Sequence, residues 1–275
     1  MSSSVDASTA RDADPGRTGA LSPVLLGLLG LVGFAALFEI LPRLGILNPN
    51  YFPRTSAIVA AIAKLLARAE FWVAFRDTLL TWATGLAIAV ASGIVLGLVI
   101  GTAPFLRAVT ASTVEFLRPI PSVAVIPLIM VLLGTGMRST LVLVVYASFW
   151  QVLVQMLYGV ADVDPVASET ARSYRLGRLA RVRYLIWPTA LPYAMTGIRL
   201  AASVALILTI TGEVFIGTPG LGRQIDVAYS SGAVSSMYAL VVVTGLIGVA
   251  ANVVTRKAER AVLAWHPSVR REVVA

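Results

Sequence analysis

Two carboxylates, Glu39 and Glu213, fall inside long apolar runs, and a third, Glu169, shares a polar segment with five arginines. A carboxylate at membrane depth is costly to bury, so it marks either a structural partnership or a path for a transported species. Glu39 lies two residues ahead of Leu41-Pro42 and reaches an interface. Glu213 follows Thr209-Ile210-Thr211-Gly212 and precedes Gly217-Thr218-Pro219-Gly220-Leu221-Gly222, which leaves two readings. It braces the glycine-rich loop, or it takes a direct place in a substrate path. The arginines are Arg172, Arg175, Arg178, Arg181 and Arg183, the first four recurring every third residue. That spacing spreads the cations around a short helix and its exit instead of stacking them in one stripe. They form either a solvated basic loop beside a membrane or a contact surface for something outside it.

Other chemistry is missing. With no cysteine, disulfides, thiol nucleophiles and thiolate metal sites are excluded. The single histidine, His266 between Trp265 and Pro267, cannot build an imidazole metal cluster and reads as an interfacial anchor. No nucleophile with a base partner is visible, so no catalytic, cofactor or metal residues are expected and the chain is not an enzyme. No GxxxxGK[ST] sequence is present to cradle nucleotide phosphates, so energy for any pumping must come from a partner. The net charge of +8 would suggest nucleic acid in a soluble chain. Here the basic residues cluster between apolar spans and at the carboxyl end, where topology and anionic headgroups explain them.

The elements that must position these groups are membrane helices. Of 275 residues 57% are hydrophobic and 13% charged, and several runs reach the roughly 20 apolar residues that a bilayer core asks of a helix. The expected fold is an all-α integral membrane protein with about six transmembrane helices. Residues 1–20 read as a disordered tail, 21–41 as the first span and 42–72 as an outer loop. That loop holds an amphipathic helix from Thr55 to about Phe71, carrying Lys64 and Arg68 and lying along the membrane surface. Residues 73–263 form a core of five further spans, and 264–275 form a tail. The core spans are Asp77 to Gly101, a span ending at Gly134, Met137 to Val160, Leu191 to Phe215 and Met237 to Leu263, with a connecting helix over Phe105 to Arg118.

Thr81, Gly85, Ala89, Gly93, Gly97 and Gly101 fall four apart, a stripe of small residues that lets another helix approach closely. Gly85, Gly93, Gly97 and Gly101 are therefore assigned to helix packing. Pro119, Pro121 and Pro127 unwind the start of the third span, which makes them either part of a translocation pathway, with Glu213, or a simple kinked entry. No internal repeat of the secondary-transporter kind is evident.

Six spans put both termini on one side, together with Arg107, Arg118, the five arginines, Arg256, Lys257, Arg260, Arg270 and Arg271. That side is the cytoplasm by the positive-inside rule, although Arg43, Arg54, Lys64, Arg68 and Arg76 then fall outside. In the polar segment 161–190, Asp164 serves as an N-cap and Pro165 as the first helical residue. The helix from Val166 places Glu169 near its positive end and stops before Pro188.

Glu169-Thr170-Ala171, the hydrophobic exit and Pro188 resemble the EAA loop of type I binding-protein-dependent ABC importer permeases. Thr170 replaces the first alanine, Arg175 stands where the family has glycine with Gly177 two residues on, and Leu185-Ile186-Trp187 replaces Ile-x-Leu. Arg118-Pro119-Ile120-Pro121 with Pro127-Leu128, Gly159-Val160 ahead of Asp164-Pro165, Glu213 with Gly220-Leu221-Gly222, and Trp265-His266 resemble the nitrate, sulfonate and taurine subfamily. The likeness runs from about Phe52 to His266.

The resemblance implies a permease without a cofactor in the bacterial cytoplasmic membrane. Its partners would be two cytoplasmic ATPase subunits, a second permease copy as a homodimer, an extracytoplasmic solute-binding protein and the lipid bilayer, with no nucleic acid. The short helix would dock in a groove of the ATPase through Glu169, Thr170, Ala171, Arg172, Tyr174, Arg175, Gly177 and Pro188. Glu169, Ala171, Arg172 and Arg175 would face or flank that groove. The rival readings are an ion-coupled secondary transporter, which would need midplane ionisable groups, and a membrane-embedded enzyme.

Overall fold

The computed structural model describes residues 23–265, and the chain divides at Thr55 into two compact units. The expected tail 1–20 and, of the expected tail 264–275, residues 266–275 with His266, Arg270 and Arg271 lie outside the described residues. Helix α1 (Pro23–Arg43) forms the first unit. It carries Pro42 in its last turn, where Glu39 pairs with Arg43 at 2.5 Å. Thr55 Oγ1 donates to the Ala35 carbonyl at 2.7 Å, returning the connection to the helix.

The second unit begins with α2 (Thr55–Leu66) and α3 (Ala69–Thr102). The amphipathic helix is thus shorter than the sequence suggests. Arg68 is extended (φ −97°, ψ 134°), and Trp72 Nε1 donates to the Leu66 carbonyl at 2.9 Å across the break. Ile58, Ala61 and Leu65 of α2 bury against Phe71, Leu221, Leu240 and Val243, so α2 belongs to the core and is not a separate outer loop. A domain boundary at residues 72–73 would cut α3, whose 34 residues extend two turns ahead of Asp77. At 1.5 Å per residue α3 is about 50 Å long, well beyond a hydrocarbon core of about 30 Å.

The remaining elements are α4 (Pro104–Leu117), a 3₁₀ turn (Ser122–Val125), α5 (Ile126–Leu133), α6 (Met137–Ala161), α7 (Pro165–Ser173), α8 (Arg178–Arg181), a π turn (Val182–Ile186), α9 (Trp187–Phe215), α10 (Leu221–Ser230) and α11 (Val234–Val262). The glycine stripe of α3 lies on α6. A methyl at Gly85 would sit 2.6 Å from Val144 Cγ1, at Gly93 2.7 Å from Val152 Cβ and at Gly101 2.9 Å from Val160 Cβ, and at Gly97 it would overlap Met156. The constant sequence offset of these pairs means that α3 and α6 run parallel. Gly159 meets Ala190, Gly197 meets Val152 and Gly212 meets Thr140, so α9 runs antiparallel to α6.

Parallel α3 and α6 oblige the chain between them to return from one end of the bundle to the other. The third span makes that return, but not as one straight helix. α5 has 8 residues, about 12 Å, too short to cross alone. It and α4 form a pair bent by 86°, which brings the long apolar helices from five to six crossings when counted as one. Three prolines without amide donors account for the break, and Pro127 restarts the helix in its first turn.

Pro188 does not end a helix either. α7 stops at Ser173, and the chain is helical again without interruption from Arg178 to Phe215. The π turn ahead of Pro188, closed by the Trp187 amide on the Val182 carbonyl, shifts the hydrogen-bond register where proline offers no donor.

Candidate functional site

α7 is the polar projection between α6 and the α9 run. Asp164 Oδ1 accepts from the Val166 amide at 2.7 Å and the Ala167 amide at 3.4 Å, and Pro165 occupies the first turn. Ala171 is the one buried residue of the helix and does not face outward as expected. Glu169, Thr170 and Arg172 are exposed around it, as are Tyr174, Arg175 and Gly177 in the turn that follows. Pro188 lies 11 residues past Gly177, half-buried in the first turn of α9 and away from the projection.

The exit from α7 is a Schellman turn. The Leu176 amide donates to the Ala171 carbonyl at 3.0 Å, and the Arg175 amide to the Arg172 carbonyl at 2.8 Å. Arg175 has φ 53°, the one positive φ of a non-glycine residue among those described. The left-handed position is therefore filled by arginine, at a cost of about 1 kcal/mol. Gly177 instead sits at φ −61°, ψ 161°, as the N-cap of α8. No arginine from Arg172 to Arg183 forms an ion pair among the described residues. Val166, Leu179 and Tyr184 are 70%, 82% and 69% exposed nearby, an apolar surface that charge spacing alone did not reveal.

The opposite end of the bundle is built around Glu213. The residue is 0% exposed, and its Oε2 accepts from Thr78 Oγ1 at 3.0 Å and the Gly222 amide at 2.8 Å. Thr78 Oγ1 in turn accepts from the Leu221 amide at 2.9 Å. Together the two side chains satisfy the first amides of α10, the orphan donors of any helix start. Gly220, at φ 155°, lies against the carboxylate, where any Cβ would overlap it. A Cβ on Gly222 would lie 2.5 Å from the Ile210 carbonyl. Thr140 and Thr218 share a hydroxyl contact of 3.0 Å beside this knot.

Glu213 is thus enclosed by α3, α9 and α10 and borders no open space. Pro119, Pro121 and Pro127 are exposed and contribute nothing to its hydrogen bonds. The structure does not assemble these four residues into one site. Thr78, the partner that the sequence did not single out, lies 135 residues from Glu213, too far for any local pattern to signal.

A family model described as "Binding-protein-dependent transport system inner membrane component" matches residues 93–263, from the glycine stripe through α7 to the end of α11. The chain belongs to this family. The taurine transport system permease protein TauC of Escherichia coli (strain K12) is 26% identical over 82% of this chain and 84% of its own length. A putative aliphatic sulfonates transport permease protein, SsuC of Bacillus subtilis (strain 168), is 24% identical over 88% of both chains. The bicarbonate transport system permease protein CmpB of Synechococcus elongatus (strain ATCC 33912 / PCC 7942 / FACHB-805) is 26% identical over 83% of this chain and 85% of its own.

The fold is that of solved permeases. A chain of the MetNI methionine ABC transporter in an inward-facing conformation superposes with a TM-score of 0.57, at 17% identity, covering 71% of this chain and 99% of that one. A chain of an amino acid ABC transporter solved with histidines gives 0.56 at 21% identity, over 70% and 94%. The protein is therefore a multi-pass permease of the cytoplasmic membrane in a type I ABC importer, neither an enzyme nor an ion-coupled secondary transporter. It works with an ATPase and a solute-binding protein.

Proposed function

We propose that this permease imports a small solute bearing an oxyanion group and that α7 is its lever on the ATPase. The observation that carries the reading is the form of α7: a short helix capped at both ends, with its charges unpaired and outward. A rigid projection of this kind transmits displacement, and unpaired guanidinium groups suit carboxylates on a partner. Glu169, Thr170, Arg172, Tyr174 and Arg175 form the docking face. Ala171 is buried on its other side, Pro188 lies apart in the first turn of α9, and Gly177 starts the next helix.

The α7 end lies in the cytoplasm, with both termini on that side. A second copy of the chain completes the translocation unit as a homodimer with two ATPase subunits. The solute-binding protein delivers at the opposite end, where the Gly217–Gly222 loop and α10 lie. The solute class follows the relatives, named for taurine, aliphatic sulfonates and bicarbonate, all small solutes that carry an oxyanion group. Uptake of radiolabelled taurine, nitrate and bicarbonate into vesicles holding the permease, its ATPase and its binding protein tests the reading. Uptake is expected only with ATP and the complete set; uptake by the purified chain alone, or uptake of none of the three by the complete set, overturns it.

A further inference from the structure

At the end of the bundle that carries α7, a cavity of about 400 Å³ opens between two elements far apart in sequence. One wall is the corner Thr102-Ala103-Pro104 between α3 and α4, and the other is Arg178, Arg181 and Ile186 at the root of the α9 run. The volume lies within the range of small-ligand sites, about 300–1,000 Å³. No carboxylate lines it. Neither arginine forms an ion pair among the described residues, and Arg181 Nε is shielded from solvent without a hydrogen-bond partner. A buried guanidinium donor left unpaired is costly, so this position calls for an acceptor.

The corner supplies few competing donors. Thr102 Oγ1 donates to the Leu98 carbonyl at 2.7 Å, and the Ala103 amide donates to the Ile100 carbonyl at 3.4 Å. The two guanidinium groups are thus the free donors of the cavity, and their planar forks match the paired oxygens of an oxyanion. We propose that this cavity binds a phosphate-type oxyanion, presented either by a lipid headgroup or by a free anion. The occupant bridges the α3–α4 corner and the segment that leads from α7 into α9. It uses none of the exposed residues of α7, so the site stands independently of the solute and of the docking face.

The test uses the full-length chain in zwitterionic detergent, with phosphatidylglycerol retention counted by native mass spectrometry and inorganic phosphate titrated by thermal unfolding against equal ionic strength of chloride. Wild type is expected to bind at least one of these probes. Arg178→Gln combined with Arg181→Gln should weaken that binding about tenfold or more, whereas Lys257→Gln, which removes an exposed charge of α11, should not. Retention of the lipid without a phosphate effect assigns the site to a headgroup; phosphate stabilisation abolished by the double substitution assigns it to a free anion. Should the double variant fail to fold, Arg178→Gln alone, on an exposed side chain, must lower affinity about threefold or more. Binding of neither probe, equal binding by wild type and variants, or an equal loss in Lys257→Gln overturns the proposal.

Discussion

The two ends of this helix bundle use the same device in opposite settings. At one end the Asp164 carboxylate caps α7 from two residues away, exposed to solvent. At the other the Glu213 carboxylate caps α10 across nine residues, fully buried, and also holds Thr78 of α3. In both cases a carboxylate oxygen accepts from an amide at a helix start, but burial changes what its loss costs, and Glu213 Oε1 is left buried without a partner. The exposed cap shapes one helix, which water can partly rescue. The buried one joins three helices in a site where no water substitutes. One end of the permease is closed on itself, and the other leaves its polar groups exposed and unpaired.

Removing each carboxylate sharpens this contrast. Glu213→Ala strands the Gly222 amide and leaves a cavity, so it should destabilise the protein by about 3 kcal/mol or more, read as thermal unfolding of the purified chain. An unchanged melting temperature would show that the knot is not structural. Glu169→Lys should do the reverse, leaving the melting temperature alone while lowering ATPase association about tenfold, measured by co-purification. Equal recovery of the ATPase would argue against α7 as the docking face.

Asp164→Ala should cost about 1 kcal/mol, confined to α7, and appear as faster amide exchange at Val166 and Ala167. Slower coupling without global destabilisation is its functional counterpart. The smallest effect belongs to Arg175→Gly, which relieves the left-handed arginine and should slow exchange of the Leu176 amide by somewhat less than 1 kcal/mol. Faster exchange there would mean that the Arg175 side chain, and not the backbone turn, holds the exit of α7.

Much of this was legible in the sequence because the signals are local. Long apolar runs announced the spans, Asp164-Pro165 announced the start of α7, and glycines spaced by one helical turn announced the face on which α3 meets α6. The misreadings arose where a local rule met a tertiary remedy. Proline ordinarily stops a helix, but the π turn at Val182–Ile186 carries the chain through Pro188. Three further prolines convert the third span into the bent α4–α5 pair, which the parallel packing of α3 and α6 then requires to cross.

The sequence by itself determined that the chain is a bundle of membrane helices with a capped basic projection and no machinery of its own for hydrolysing ATP. Those properties depend on composition and on neighbours within one or two helical turns. Only the tertiary structure decided that Ala171 is buried, that Arg175 adopts a left-handed backbone, and that Glu213 finds Thr78 and closes a helix start. Each of these depends on which groups are left without solvent once the helices pack, and that is a property of neighbours in space.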